Sequence, residues 1–388
     1  MRRQRSHPLA RLLSLAGGVL LIGLIGLAAL ELVAGWALKA IREKRPAYIA
    51  DYSDETYRKL YDTDAPDHYR RILAESWREA DTVYSPFVEY RMVPHQGKAF
   101  SITEDGYRVN GAEPQSLGQP GPKVFVFGGS TTLGLGVADD ETIPAAIERA
   151  LAAAGRDDVK VFNFGALSYY STPERIALER LLTAGTKPEV AVFIDGAEDF
   201  YSCTVPDQSA WNERLAQVTR ARSRMPLLVE LAHRSHVVQL ARHLAGDKSV
   251  AVRESGRFCE GDGEIDGVIR RLDTNRRIID ATAERLGFKA LFVQQPVPTY
   301  AYDNRKRPFP IKEEMLGYHM NAARGYPRMA QLRADGKLWE HGLLWLAEAE
   351  PAEGNAYIDI IHYSPRFNRV IGDKIAATLL DGALLPPR

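Results

Sequence analysis

The run Lys123-Val-Phe-Val-Phe-Gly-Gly-Ser130-Thr constrains the fold more than any other stretch of the chain. A buried apolar strand, 124–127, ends here in Gly128-Gly129, which lets the backbone turn sharply. Ser130 is left at the carboxyl edge of a sheet, where open α/β folds place their ligands. Beyond that point strand and helix alternate. Residues 141–154 have helical apolar spacing, with Pro144 tolerable in the first turn and Gly155 ending the helix. Further strands follow at 159–163, 190–195 and 290–294, with helices at 173–184, 268–286 and 365–380. This alternation predicts an α/β fold, a three-layer α/β/α domain around a central parallel sheet.

The alternation stops twice, at about 201–262 and 308–350, and both stretches read as helical insertions. The first has helical periodicity over 211–244, broken at Pro226, and is a candidate cap for the cleft. The second carries Tyr318, His319, Tyr326 and Trp345. Ahead of the core, 105–110 looks like a turn into a short strand packed on the domain's edge. Residues 116–122, rich in Gly and Pro, read as the linker. Gln295-Pro-Val-Pro-Thr starts an active-site loop at the end of the fourth strand.

Ser130 gains its meaning from Asp359-Ile-Ile-His362, far away in the chain. Acyl transfer to serine needs a hydroxyl at an exposed turn, an imidazole to take its proton, and a carboxylate to orient that imidazole. Ser130 is the candidate nucleophile, His362 the general base and then acid, and Asp359 the group that holds the imidazole's tautomer. Between them lie Asn163-Phe-Gly165 and Gly196-Ala-Glu198-Asp199. These four blocks, in this order, resemble the SGNH hydrolase superfamily (the GDSL esterase/lipase family), over roughly residues 120–385. The family's Gly-Asp-Ser is matched by Gly128-Gly129-Ser130, and its Gly-x-Asn-Asp by Gly196 to Asp199. The resemblance implies an SGNH/flavodoxin-like fold and a serine esterase or acyltransferase acting on O-acyl, above all O-acetyl, groups. It also implies an oxyanion hole built from the backbone N–H groups of Ser130 and Gly165, with Asp199 supporting the loop.

Where the family carries an asparagine that donates to the oxyanion, this chain has Glu198. An ionised carboxylate cannot donate and repels a developing oxyanion. Three readings follow: Glu198 is protonated through burial and its neighbour Asp199; it swings away and leaves the hole to backbone donors; or the site has become a weak transferase or a binding site. The alternative to an enzyme is a catalytically silent SGNH-like domain that binds glycan or a partner protein in an envelope assembly.

The N-terminus is different in kind. Residues 12–30 carry no charge, and apolar character resumes after Glu31 through Leu38, about the 20 residues a membrane-spanning helix needs. Residues 12–38 are therefore expected to be a transmembrane signal-anchor, with 1–11 cytoplasmic, 39–121 a juxtamembrane segment and 122–388 the hydrolase-like domain. Arg2, Arg3, Arg5 and Arg11 before it are nearly matched by Lys39, Arg42, Lys44 and Arg45 after it, so charge alone does not orient the helix. The arginine-rich start and the long domain behind it favour a single-pass bacterial inner-membrane protein with its catalytic domain periplasmic. The apolar stretch exceeds the h-region of a cleaved signal peptide. Such a location, with the family analogy, points to envelope or exported polysaccharide as the acylated substrate, and to polysaccharide assembly proteins as partners.

Lys and Arg total 50 and so do Asp and Glu, so no charge imbalance points to nucleic acid. No structural zinc spacing and no phosphate loop occurs, and Gly134-Leu-Gly136 reads as turn chemistry, so no cofactor or metal is expected. His233, His236 and His243 have a spacing that permits metal ligation but lack matching carboxylates. Cys203 and Cys259 are either two buried thiols or a disulfide, which an oxidising periplasm permits and which stabilises by roughly 4 kcal/mol on the chain-entropy estimate. Tyr169 and Tyr170 suit either sugar stacking or core packing. Arg305-Lys306-Arg307 reads as a solvated surface run.

Overall fold

The computed structural model describes residues 8–43, 52–85, 87–111, 115–201, 203, 235–244 and 258–388. The chain divides into two compact units, one of Met1–Arg45 with Ala210–Ser255, the other of Pro46–Ser209 with Gly256–Arg388. The smaller unit holds α1 (Pro8–Glu43), whose 22-residue stretch Gly17–Leu38 is long and apolar enough to cross a bilayer. Glu31, the one acidic residue in that stretch, accepts hydrogen bonds from the Ser235 hydroxyl and, at 2.7 Å, from the His236 N–H. It thereby caps the helix His236–Leu244, whose first N–H groups have no partner within the helix. One turn along α1, Gly35 lets the His236 ring approach to 3.2 Å from the place a Cβ would take. His233, the side chain of His243 and most of the first insertion, 204–234 and 245–257, lie outside the described residues.

The larger unit opens with α2 (Asp54–Tyr61), α3 (Pro66–Glu79) and an antiparallel hairpin of β1 (Thr82–Ser85) and β2 (Glu89–Met92). Next come β3 (Lys123–Gly128), α4 (Ser130–Leu133), α5 (Ile143–Ala153), β4 (Lys160–Gly165), α6 (Ser171–Thr183), β5 (Val190–Asp195) and α7 (Ala197–Tyr201). After the gap in the description follow α8 (Asp262–Leu286), β6 (Lys289–Gln294), α9 (Met320–Ala334), β7 (Leu343–Trp345) and α10 (Pro365–Asp381). The five core strands form one parallel sheet in the order β4-β3-β5-β6-β7.

Side chains alternate between the faces of a strand, so Lys-Val-Phe-Val-Phe sends valines one way and phenylalanines the other. Val124 and Val126 pack with Val161, Val192 and Val293 under Ile143 and Ile147 of α5 and Ile371 and Ile375 of α10. Phe125 and Phe127 join Phe162, Phe164, Phe193 and Phe292 under Leu178 of α6 and Ile279 of α8. Register puts Phe127 beside Phe164 and Phe193, with ring centroids 5.4 and 4.9 Å away and the planes nearly parallel. Both faces are thus dry, which is why the strand reads as continuously apolar. Thr142 accepts the Ala145 N–H at 3.2 Å and starts α5, with Pro144 in its first turn.

Two stretches outside the strand–helix alternation, the juxtamembrane segment and the second insertion, take part in the larger unit. Residues 52–111 pack into the same unit as the sheet: Tyr57, Leu60 and Leu73 share a core with Val137 and Ile358. The Arg108 N–H donates to the Asn163 carbonyl at 2.8 Å, adding to the outer edge of β4. The second insertion contributes β7, the sheet's fifth strand, whose three residues are too few to carry a readable alternation.

Candidate active site

Ser130 opens α4 immediately after β3, so its Oγ sits at the carboxyl edge of the sheet with some exposure to solvent. His362 arrives on the loop between β7 and α10, where Tyr357 and Tyr363 pair across the turn and the Ile358 N–H donates to the His362 carbonyl at 2.9 Å. One line of hydrogen bonds results. His362 Nε2 lies 2.8 Å from Ser130 Oγ, and His362 Nδ1 lies 2.6 Å from Asp359 Oδ2. Asp359 Oδ1 accepts the N–H groups of Ile361 and His362 at 2.8 and 2.7 Å, which fixes the carboxylate plane. With Nδ1 facing a carboxylate, the proton belongs on Nδ1 and the lone pair of Nε2 points at the hydroxyl.

The electrostatics suit that arrangement. Burial disfavours the imidazolium of His362, but the charge and hydrogen bond of Asp359 and the charge of Glu198 outweigh it and hold the ring above its ordinary 6.5. Burial raises Asp359, yet His362 and the two backbone N–H groups hold it below the ordinary carboxylate value. Glu198 is pushed up to about 7, chiefly by burial. Its Oε1 is 3.4 Å from Ser130 Oγ, and its carboxyl lies so close over Gly129 that a Cβ there would be 2.3 Å from Cδ. Gly129 is therefore the residue that admits Glu198 to the site.

The other expected residues are near but have other work. The Gly165 N–H, expected to face the oxyanion, donates to Asn163 Oδ1 at 3.0 Å. Asn163 is fully buried, and its amide reaches the Thr132 carbonyl at 3.1 Å, bracing α4 from behind. Gly196 turns the chain out of β5 at φ 133°, with the Tyr326 hydroxyl 2.2 Å from its missing Cβ. Asp199 is buried and accepts the Ser171 hydroxyl at 2.7 Å and the Ser171 N–H at 3.3 Å, which ties α7 to the start of α6. Tyr169 and Tyr170 pack on the hairpin, their hydroxyls donating to the Tyr90 carbonyl at 2.5 Å and to Glu89 at 3.3 Å.

Three residues in and around the site escaped the sequence reading, and a fourth, Gln295, was placed there only as the start of an active-site loop. Trp77, on α3, meets the His362 ring edge to face at 5.6 Å while 36% exposed, so an indole partly open to solvent flanks the imidazole. Arg307 is buried rather than solvated: it donates to the Asp359 carbonyl and stacks 4.7 Å over Tyr357. Arg108 is fully buried behind α4, and Gln295 is fully buried beside Glu198. His319 is held down to about 4, first by burial and then by repulsion from His362, and stays neutral near it. Its ring stands 4.8 Å from that of Tyr201. Tyr201 also meets Tyr318, which continues the aromatic row to the exposed Phe258. Next to these, Cys203 and Cys259 are joined as a disulfide, their Cα atoms 5.3 Å apart.

No family model and no curated protein matches the sequence. Among solved structures, the chain is similar to the acetyl xylan esterase AlAXEase, with 15% identity over 66% of this chain and 99% of that one, and a TM-score of 0.37. It is also similar to Est24, a carbohydrate acetylesterase from Sinorhizobium meliloti, with 15% identity over 67% of this chain and 99% of that one, and a TM-score of 0.34. A lipase/acylhydrolase from Enterococcus faecalis gives 17% identity over 69% of this chain and 98% of that one, with a TM-score of 0.33. At TM-scores this low, what the site does is read from its own geometry.

Proposed function

We propose that the chain is a membrane-anchored serine esterase or acyltransferase of the SGNH type that removes or transfers a small acyl group on a carbohydrate hydroxyl. The observation that carries this reading is the unbroken line from Ser130 Oγ through His362 to Asp359, at 2.8 and 2.6 Å. Ser130 Oγ attacks the acyl carbon as Nε2 of His362 takes its proton, and the carbonyl electron pair moves onto oxygen. Collapse of the tetrahedral adduct breaks the bond to the alcohol, which leaves with the proton returned by His362. Water or a second hydroxyl then takes the acyl group from Ser130 by the same steps reversed.

Trp77 supports a carbohydrate as the group beside the reacting atoms, because a partly exposed indole beside the imidazole suits the apolar face of a sugar ring. The disulfide supports an oxidising compartment, and with α1 as anchor a periplasmic site on the inner membrane is the consistent arrangement. Exported or envelope polysaccharide is then the substrate within reach. The second reading, a silent domain that binds glycan, draws on Glu198: its carboxyl stands where an oxyanion would form.

The two readings part on one experiment. The full chain in detergent, treated with a fluorophosphonate, is expected to carry one adduct on Ser130, read by peptide mass, and Ser130→Ala is expected to carry none. An unlabelled but folded wild type would favour the silent domain.

A pH profile tests the role of Glu198. Ester turnover requires neutral His362, so the rate rises as pH climbs through a value above 6.5. It also requires the uncharged acid form of Glu198, so the rate falls as pH climbs through about 7. A narrow bell is expected for kcat/KM with p-nitrophenyl acetate. Glu198→Asn removes the falling limb, and it shifts the rising limb to lower pH because one of the charges raising His362 is gone. A falling limb that persists in Glu198→Asn would show that Glu198 does not set it.

A further inference from the structure

We propose that Gln295 supplies the side-chain N–H of the oxyanion hole, in place of the amide that the Gly196 to Asp199 block lacks. This rests on Ser130 being the nucleophile, as above. Gln295 extends β6 by one residue: its N–H donates to the Asp195 carbonyl at 3.0 Å, and its own carbonyl accepts the Tyr326 hydroxyl at 2.8 Å. The side chain has no exposure, so its amide is held by the protein alone. Gln295 Nε2 lies 3.4 Å from Glu198 Oε2. Glu198 keeps an acceptor oxygen in either protonation state, and the amide turns its NH2 toward that oxygen and its own oxygen toward Thr131, whose hydroxyl donates to Gln295 Oε1 at 3.1 Å. Thr131 is the residue after the nucleophile and is itself buried, so the amide is aimed by the same turn that presents Ser130.

The carboxyl of Glu198 marks the place the donors serve. One of its oxygens is 3.4 Å from Ser130 Oγ and the other 3.4 Å from Gln295 Nε2, and the carboxyl packs over the Gly129–Ser130 backbone. An acyl oxygen that displaces the Glu198 carboxyl from between these groups takes over the Ser130 N–H on one side and the Gln295 amide on the other. As Oγ bonds to the acyl carbon and charge gathers on that oxygen, both contacts strengthen, and catalytic hydrogen bonds that are long at rest shorten in this way. The Gly165 N–H is engaged by Asn163, which leaves Gln295 as the donor placed to complete the pair.

The test is p-nitrophenyl acetate hydrolysis by the full chain in detergent. Gln295→Leu is expected to lower kcat by about 100- to 1,000-fold with KM changed less than about threefold, the pattern of a contact made in the transition state. Adding Glu198→Asn to Gln295→Leu is expected to recover about tenfold or more, since an amide then enters the hole from the other side. Glu198→Asn alone also removes the falling limb, so the gain is compared with the gain it gives in otherwise wild-type protein. A merely structural role for Gln295 gives the same factor in both backgrounds, and the donor role a larger one in Gln295→Leu. Should Gln295→Leu melt early, Gln295→Met keeps the length of the side chain and removes the donor, and the same loss is expected. Turnover of either folded variant within about threefold of wild type, or a loss that Glu198→Asn does not relieve, overturns the assignment. Wild type lacking Ser130-dependent hydrolysis would overturn the esterase reading and this inference with it. Ser130-dependent wild type alongside an unimpaired Gln295→Leu would overturn this inference alone.

Discussion

Ser130→Ala, made in the full chain, is expected to lower ester turnover by on the order of 10⁴- to 10⁶-fold while leaving the melting midpoint within about 1 °C. The size follows from what the hydroxyl does. It is the one atom at the end of the His362–Asp359 line, and with it gone the imidazole has no nucleophile to deprotonate. The small stability change follows from its position, since Ser130 is only partly buried and alanine suits the start of α4. His362→Ala is expected to lose about as much, and the double variant hardly more than either single one, because the residues act as a unit. Steady-state rates with p-nitrophenyl acetate decide it. A Ser130→Ala variant that keeps more than about a hundredth of the activity would place the chemistry elsewhere.

Arg108→Met is expected to be the most destabilising single change in the catalytic unit, by about 3–5 kcal/mol, the usual cost of removing one partner of a buried ion pair. The Arg108 side chain has no exposure and binds Asp139 Oδ1 at 2.8 Å. It also donates to the carbonyls of Leu133, Gly134, Val137 and Ala99, at 2.8, 2.5, 2.7 and 3.0 Å. Three of those carbonyls belong to the turn that follows the nucleophile and Ala99 to the segment ahead of β3, so one guanidinium satisfies what would otherwise be a set of orphaned acceptors. Methionine matches the stem and none of the donors. Urea unfolding of wild type and Arg108→Met should separate by that amount, and midpoints differing by less than about 1 kcal/mol would show that water or neighbouring N–H groups replace the arginine.

What could be read before any coordinates were known divides along a physical line. β3 and Ser130 were legible because a strand dry on both faces and a double-glycine turn write themselves into consecutive residues. Asp359 and His362 were legible because a three-residue spacing lets one short loop hold a carboxylate and the imidazole it orients. Trp77, Arg108 and Arg307 were not, since each acts on a partner far away in the chain and carries no local signature, and Gln295 was legible only as the start of an active-site loop. Arg307 shows the difficulty most clearly: Arg305, two residues earlier, pairs with Asp303 in solvent, while Arg307 reaches back to the Asp359 loop. Composition treats the two alike. β7 escaped because three residues cannot establish a period, and the Gly165 N–H was misjudged because a side chain two residues away had already claimed it.

The disulfide makes the long stretch between Cys203 and Cys259 a cassette. The catalytic unit releases the chain and takes it back at two points whose Cα atoms are 5.3 Å apart, with 56 positions of sequence separation between them. A covalent bond across that gap holds the two ends of the stretch together without help from the residues between them. A protease cut anywhere within it leaves one molecule until a reductant is added, and two fragments afterwards.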